Sequence, residues 1–200
     1  MSKVIVNNSV TLDGVMQAPA RADEDLRDAF EYGGWAQPYF DEVMVSVAAE
    51  GIAQGGDLLL GRRTYEDFAS VWPHMPEENP FTAVMNNFRK HVASTTLQEP
   101  LSWNNSTLLE GDAADAVAKL KEQSGNDLVI LGSGELTQSL MRHNLIDRYV
   151  LLIHPLVLGS GRRLFPDGGP PVPLRLVDTK TTTTGVVIAT YEPAEQGTTT

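Results

Sequence analysis

Two arginines stand directly after an apolar run, in the segment Gly61-Arg62-Arg63-Thr64-Tyr65-Glu66. Residues 57–60 have the composition of a buried strand, and the residues that follow favour a helix. Thr64 is predicted to cap that helix, with Asp67 in the acidic position of a capping box. Guanidinium groups and a helix N-terminus both attract anions. The segment therefore predicts a phosphate site, and a plain strand-to-helix turn with two solvated arginines stays the alternative.

A second turn, Gly132-Ser133-Gly134, also joins a strand-like run to a helical pattern. Glycine allows close backbone approach, and amides at a helix start are open to an anion. Residues 61–63, Ser94-Thr95 and 132–134 all follow strand-like runs, and ligands of open α/β sheets bind beyond the carboxyl ends of strands. One extended ligand with several phosphates is therefore predicted. Paired arginines near a hydroxyl suit the terminal phosphate of NADP better than the bare ribose of NAD.

These turns are positioned by an alternation of strand-like and helical segments. The pattern predicts strands at residues 4–8, 57–60, 91–94, 107–109, 127–131, 149–153, 174–177 and 186–191, and helices at 39–54, 113–123 and 135–143. No helix is predicted between the last three strands. We therefore predict an α/β fold with a mixed, mainly parallel sheet, flanking helices and antiparallel C-terminal strands. Residues 1–194 are predicted to form one domain, and residues 195–200 a flexible tail.

Composition narrows the function classes. The chain has 200 residues, a net charge of −11 and no cysteine, which excludes disulfides and thiolate chemistry. Its four histidines lack metal-ligand spacing, so no metal is predicted. The acidic balance argues against a nucleic-acid partner. The N-terminus lacks the apolar core of a signal peptide and no run reaches membrane-spanning length, which predicts a cytoplasmic protein without a membrane partner.

The motifs taken together resemble those of stand-alone bacterial proteins related to the C-terminal reductase domain of the riboflavin-biosynthesis deaminase/reductase. The segments that carry the resemblance are residues 9–14, 61–66, 90–94, 131–134, 145–147 and 155–165. The resemblance implies a dihydrofolate reductase-like fold, with NADPH across the strand ends and a small heterocyclic acceptor, of amino-pyrimidine or pterin type, beside the nicotinamide. It also implies a homodimer, because apolar C-terminal strands need a cover.

The same resemblance implies a set of cofactor contacts. The adenosine 2′-phosphate side or the pyrophosphate would be held by Arg62, Arg63, Thr64 and Ser94, with Lys90 nearby. The pyrophosphate would be covered at a helix N-terminus by Gly132, Ser133, Gly134, Glu135 and Leu136. Residues 18–34 are predicted to form a loop over the active site.

The proton donor is left open between several groups. Dihydrofolate reductases carry a carboxylate on the first helix, but apolar residues such as Val45 stand near that place here. Asp41 and Glu42 lie one turn earlier, and Asp13 ends the first strand beside the expected nicotinamide. We predict Asp13 and Asp41 as catalytic candidates, with turn chemistry of Asp-Gly or a proton from water as alternatives. A non-catalytic NADPH-binding protein and a general carbonyl or imine reductase also stay open.

Overall fold

The computed structural model describes residues 1–123, 125–165, 167–168 and 171–194. Its strands are β1 (Val4–Thr11), β2 (Asp57–Gly61), β3 (Lys90–Ala93), β4 (Ser106–Leu108), β5 (Leu128–Leu131), β6 (Arg148–His154), β7 (Leu174–Thr181) and β8 (Val187–Pro193). They form one eight-stranded sheet in the order β4-β3-β2-β5-β1-β6-β8-β7. The predicted flexible tail lies outside the described residues.

The sheet is parallel from β4 to β6 and antiparallel in its last two strand pairs. The predicted mixed sheet with antiparallel C-terminal strands is therefore confirmed. Strand β7 is longer than its apolar residues indicated, because it continues to pair with β8 past a register shift between Leu176 and Asp178. Parallel strands place their carboxyl ends at one edge, and the predicted phosphate turns follow β2, β3 and β5 at that edge.

The described residues contain five α-helices beside the sheet: α1 (Glu42–Ala53), α2 (Arg62–Val71), α3 (Thr82–Asn87), α4 (Ala113–Glu122) and α5 (Gly134–Arg142). Helix α1 begins later than predicted because Asp41 caps it, accepting a hydrogen bond from the Met44 amide at 3.0 Å. The prediction that Thr64 caps α2 is wrong: Gly61 is the N-cap, and Thr64 lies inside the first turn. The Asp67 carboxylate pairs with Arg21 instead of closing a capping box.

The two faces of the sheet are covered unequally. On one face Val4, Val6 and Val10 of β1 are buried in a core with α4 and α5. On the other face Ile5, Asn7 and Ser9 are only partly buried, although β1 is a central strand. That second face is covered in two separate patches. One contains Leu58, Leu60, Tyr65, Met85, Val92 and Trp103, and the other contains Met44, Val186 and Ile188. The face over β5 and β1 is left open between them, and we call it the open cleft.

Two long connections cross the carboxyl edge of the sheet. The segment after β1 is bonded to the segment after β6 through Leu12 N to Leu156 O, Met16 N to Arg162 O and Leu164 N to Gly14 O. The predicted loop, residues 18–34, contacts α2 and the start of α5 through ion pairs of Arg21 with Asp67 and of Arg27 with Glu135. None of the described helices has the length and apolar character needed to cross a bilayer.

Candidate functional site

The turns after β2 and β5 are joined by side-chain hydrogen bonds. The Ser133 hydroxyl accepts a hydrogen bond from the Gly61 amide at 3.0 Å and donates one to the Leu131 carbonyl at 3.0 Å. The Thr64 hydroxyl accepts a hydrogen bond from the Ser133 amide at 2.9 Å. The hydroxyls of Thr64 and Ser133, two of the predicted cofactor contacts, thus hold the turns to each other. Their role at the site is to fix the relative positions of α2 and α5.

Gly132 is required by the geometry of this junction. Its φ is +57°, which disfavours residues with a side chain, and an added Cβ would lie 3.1 Å from the Thr64 hydroxyl. Its amide donates to the Asn8 side chain at 2.6 Å, and its carbonyl accepts from the same side chain at 3.0 Å. Asn8 lies within β1, so β1 is tied to the ends of β2 and β5 at this point.

The first turn of α5 presents open backbone donors. The amides of Gly134, Glu135 and Leu136 donate to no acceptor among the described residues, as expected for the start of a helix. A Cβ at Gly134 would lie 2.7 Å from the Met16 sulfur, so a larger residue would fit here only if Met16 moved. Open amides at a helix start are a binding site for a phosphate or another anion.

The arginines of α2 lie at the same edge. Arg63 is exposed and forms no ion pair within the described part of the chain, whereas the Arg62 guanidinium lies 3.8 Å from the Glu66 carboxylate. Ser94 follows β3, and its hydroxyl accepts hydrogen bonds from Thr96 and Leu97 amides at 3.1 and 3.0 Å. Because Gly61 pairs with Ala93, the ends of β2 and β3 are neighbours. The structure thus brings Arg62, Arg63 and Ser94 to one edge with the turn after β5.

Lys90 is at the opposite edge of the sheet, so the prediction that it lies near the phosphate contacts is wrong. It is the first residue of β3, and its ammonium donates to the carbonyls of Asn86 and Asn104 at 2.9 and 3.1 Å. The same group lies 4.0 Å from the centre of the Trp103 ring. Burial lowers the pKa of Lys90 to about 8. These contacts make Lys90 a structural residue that joins three segments.

The connection after β1 is held over the α5 terminus by ion pairs. The Glu135 carboxylate lies 3.2 Å from the Arg27 guanidinium and 3.4 Å from that of Arg162. Arg162 also lies 3.1 Å from Asp28. Gln17 accepts from the Arg162 amide at 2.9 Å and donates to the Arg27 carbonyl at 3.0 Å. Two arginines from different connections therefore converge beside the open amides of α5.

Asp13 is unsuited to be the acid that the sequence predicted. Its carboxylate accepts hydrogen bonds from the Thr11 hydroxyl at 2.6 Å and from the Gly159 and Leu158 amides at 2.8 and 3.2 Å. The Thr11 hydroxyl foremost, and then the two amides, hold the pKa of Asp13 below its ordinary value. A general acid at neutral pH needs the opposite shift. Asp13 instead fastens the connection after β1 to the one after β6.

We expect Asp13→Ala to lower the free energy of unfolding by about 2–3 kcal/mol at neutral pH, since two amides lose a charged acceptor. The lowered pKa means that this contribution is complete above about pH 3.9, the value of an unfolded aspartate, and is lost as the pH falls through the folded pKa. Urea unfolding at about pH 7 and pH 3 measures both points. An equal difference between variant and unmodified protein at the two pH values would contradict this role.

Asp41, the second predicted acid, is also a structural residue. Besides capping α1, it accepts hydrogen bonds from the Thr183 amide and hydroxyl at 2.7 and 2.6 Å. The Thr183 hydroxyl, followed by the Met44 amide, lowers the pKa of Asp41. The predicted role as a catalytic acid is therefore replaced for both residues by the same structural role. Each carboxylate accepts hydrogen bonds from nearby donors, and this lowers its pKa. Glu42 is exposed in the first turn of α1.

Sequence reasoning missed two polar side chains in the open cleft. Asn7 and Ser9 project from the same face of β1, and neither side chain has a hydrogen-bond partner among the described residues. Val129 and Leu131 of β5 lie on this face too and are partly buried. The signal was present in the alternation of Asn7 and Ser9 with buried valines. It could be interpreted only once β1 was known to be central.

His154, for which only the absence of metal-ligand spacing was noted, is the last residue of β6 and is fully buried. Its Nδ1 lies 2.9 Å from the Leu152 carbonyl, while its Nε2 has no partner in the described structure. The rings of Trp35 and Tyr39 meet the imidazole edge to face, with centroids 5.1 and 5.5 Å away. Burial lowers the pKa of His154, against the Leu152 and Val10 carbonyls, which raise it, and so favours the neutral ring at neutral pH.

We expect acidification from about pH 7 to pH 5.5 to destabilise the protein through His154. A lowered folded pKa means that the unfolded state takes up the proton first, so stability falls once the pH drops below about 6.5, by at most about 1.4 kcal/mol per pH unit. Two carboxylates on segments that adjoin His154, Asp13 near Thr11 and Asp41 after Tyr39, are both satisfied by local donors. Thermal unfolding of His154→Gln should show a shallower pH dependence. Identical profiles for the two proteins would rule His154 out.

No three His, Asp or Glu side chains of the described residues are grouped closely enough to hold a metal ion. The arrangement at the carboxyl edge is therefore one of anion-binding amides and arginines beside an open, uncharged cleft.

Comparison with known proteins agrees with this architecture. Two relatives from Bacillus subtilis are YyaP, 29% identical over 137 residues (67% of this chain and 72% of the relative), and YwjB, 26% identical over 183 residues (89% and 91%). A solved protein from Shewanella sp. PV-4, assigned to riboflavin biosynthesis, matches with a TM-score of 0.67 at 20% identity, covering 96% of this chain and 99% of that one. A pyrimidine reductase-like protein from Corynebacterium diphtheriae matches with a TM-score of 0.62 at 11% identity, covering 96% and 92%.

The family model for the RibD C-terminal domain matches residues 2–188, which is nearly all of the chain. The resemblance seen in the sequence motifs is thereby confirmed, and the dihydrofolate reductase-like fold with it. The chain belongs to the RibD C-terminal domain family.

Proposed function

We propose that the protein is an NADPH-dependent reductase that transfers a hydride to a small heterocyclic acceptor of amino-pyrimidine or pterin type. The observation that carries the proposal is the set of groups that meet at the carboxyl edge of the sheet. Open amides of α5 and the arginines Arg62 and Arg63 lie there, at the same edge as the open cleft. Family membership supports the reaction class, and a pyrimidine reductase-like structural neighbour supports the acceptor class.

The residues present fit a phosphorylated dinucleotide. The amides of Gly134, Glu135 and Leu136 would accept the pyrophosphate, because they are open donors at the positive end of a helix. The exposed guanidinium of Arg63 would meet the 2′-phosphate, with Arg62 and Ser94 beside it. When bound, NADPH supplies the hydride and the protein supplies binding and orientation.

The open cleft would hold the acceptor. Its floor consists of Ile5, Asn7 and Ser9 together with two residues of β5, and it carries no charge. A flat ring bound there would lie next to the ends of β1 and β5, the same strand ends that border the phosphate turns. Holding donor and acceptor in contact accounts for much of the rate that such an enzyme needs.

A second candidate, a non-catalytic NADPH-binding protein, is favoured by one observation. Asp13 and Asp41, the two predicted acids, are hydrogen-bond acceptors with lowered pKa values, so the proton in a reductase would come from Glu42 or from water. The two candidates differ in turnover alone. The reductase oxidises NADPH when an acceptor is present, and the binding protein does not.

Deuterium transfer tests the proposed reaction. The protein is incubated with NADPH deuterated at C4 and a panel of amino-pyrimidines, pterins and simple carbonyl compounds, and products are analysed by mass spectrometry. We expect one heterocycle to gain a single deuterium as NADPH is oxidised. Gain only by carbonyl compounds would indicate a general carbonyl or imine reductase, and binding of NADPH without transfer to any compound would indicate the non-catalytic protein.

We also propose a homodimer built on the outer strand. Strand β7 is the edge of the sheet and is exposed along most of its length, with Leu176 50% and Val177 43% exposed. An uncovered apolar edge favours pairing with a second copy. Sedimentation at micromolar concentration should give a dimer, and Leu176→Lys should give a monomer; a monomeric unmodified protein would contradict the proposal. The cytoplasmic location stays a prediction.

A further inference from the structure

We propose that His154 binds the hydride acceptor: its Nε2 atom accepts a hydrogen bond from an N–H or amino group of that molecule. The inference rests on the proposed function, since it concerns the molecule bound beside the cofactor. It names a residue that determines specificity, and it names the chemical class of the acceptor: a flat, uncharged ring that carries an N–H donor.

The position of His154 places it at the end of the open cleft. Alternate residues of β6 share a face, so His154 lies on the same face as Val150 and Leu152. These two residues pack against the cluster of Met44 from α1 with Val186 and Ile188. His154 also pairs with Thr11 in the register that pairs Leu152 with Ser9. Along the strand direction, His154 is therefore the next residue on this face after the level of Ser9, and it lies at the carboxyl edge of the sheet.

The hydrogen-bonding state of the imidazole follows from its neighbours. The Leu152 carbonyl can only accept, so Nδ1 carries the hydrogen and donates it over 2.9 Å. In the neutral ring Nε2 is then a bare acceptor. No described residue donates to it, although the side chain is fully buried. A buried acceptor without a donor is costly, so a ligand that brings one gains affinity.

The aromatic rings around His154 do not supply that donor. The Trp35 indole N–H donates to the Gln17 carbonyl at 2.7 Å, and Tyr39 meets the imidazole edge to face. Both residues belong to the segment between the connection after β1 and α1. Because the imidazole is fully buried, the proposed hydrogen bond requires the segment that carries Trp35 and Tyr39 to shift when the ligand binds.

The floor of the cleft selects an uncharged ring. It consists of Ile5, Asn7, Ser9, Val129 and Leu131, none of which carries a charge. An ion placed there would lose hydration without gaining a counterion. The carboxamide of Asn7 and the hydroxyl of Ser9 can each donate and accept, so they match the mixed polar edge of a lactam or amino-substituted ring.

Nitrogen NMR of the unmodified protein, labelled with ¹⁵N-histidine and ¹⁵N-asparagine, tests the inference with two probes. Uracil carries ring N–H donors, and 1,3-dimethyluracil has the same ring without them. We expect uracil to shift the Nε2 resonance of His154 and 1,3-dimethyluracil to leave it unchanged. His143 is the control, because its Nδ1 also lies 2.9 Å from a backbone carbonyl but its ring is exposed.

Two results would overturn the proposal: uracil shifts the Asn7 amide without moving His154 Nε2, or millimolar uracil moves neither. The titration is run with and without NADPH, whose own binding is measured separately. Failure of NADPH to bind would therefore count against the proposed function and leave the His154 result interpretable.

Variants give a second, independent readout. We expect His154→Leu to weaken uracil binding roughly ten-fold or more, because the ligand donor loses its acceptor. His154→Gln, which keeps an acceptor oxygen, should bind within a few-fold of the unmodified protein, and His143→Leu should bind equally well. NADPH affinity should be the same in all three. Unchanged uracil binding by a folded His154→Leu would overturn the proposal, and if that variant fails to fold, the NMR titration decides.

Discussion

Replacing Gly134 with valine is expected to abolish binding of both NADPH and NADH. The valine side chain would crowd the first turn of α5, whose open amides are proposed to hold the pyrophosphate. Loss of three amide contacts to a charged group corresponds to an affinity loss of about a thousand-fold or more. Because the pyrophosphate is common to both dinucleotides, the loss should not discriminate between them. Calorimetric titration with each cofactor measures it.

Two controls separate blockage of the site from local crowding. A Cβ at Gly134 would lie 2.7 Å from the Met16 sulfur, so Met16→Ala is added to Gly134→Val to relieve that contact. The double variant should still fail to bind. Gly51→Val lies in α1 with open space around the added carbon, and it should bind normally. Unchanged NADPH affinity in a folded Gly134→Val protein would show that the turn is only a connection.

Arg63→Ala is expected to weaken NADPH binding by roughly ten- to a hundred-fold while leaving NADH nearly unaffected. Only NADPH carries the 2′-phosphate, and the Arg63 guanidinium is exposed and without an ion pair in the described structure. Arg62→Ala should act in the same direction but less strongly, because Glu66 already lies 3.8 Å from its guanidinium. Calorimetry at low and at physiological salt measures both variants.

Arg89→Ala is the matched control for these arginines. Arg89 is also largely exposed, but it pairs with Asp57 at the amino edge of the sheet. Its loss removes the same charge from the protein without touching the proposed site. Equal losses of NADPH and NADH affinity in Arg63→Ala would contradict the 2′-phosphate assignment, as would an equal effect of Arg89→Ala.

The sequence predicted the sheet and the edge at which the turns gather, because both follow from local patterns. Strand and helix periods place the glycine and arginine turns after β2 and β5 without knowledge of the tertiary structure. Lys90 shows the limit of this reasoning. A residue four positions before Ser94 belongs to the same short strand, but it lies at the other end of it, so proximity in sequence placed it at the wrong edge.

The roles of Asp13 and Asp41 depended on partners distant in sequence. Their donors, Gly159 and Thr183, are far away in the sequence, and no local sequence pattern predicts such contacts. His154 is a similar case, because its burial is produced by Trp35 and Tyr39 from another segment. Of these roles, only the capping of α1 by Asp41 could have been predicted from neighbouring residues, because an aspartate stands just before an apolar helical pattern.

Titration of the unmodified protein with NADPH and with NADH, under identical calorimetric conditions, tests the central claim most directly. We expect saturable binding of one NADPH per chain, at least about ten-fold tighter than NADH, because the arginines of α2 contribute only to the phosphorylated cofactor. Absence of NADPH binding, or equal affinity for the two cofactors, would contradict the account.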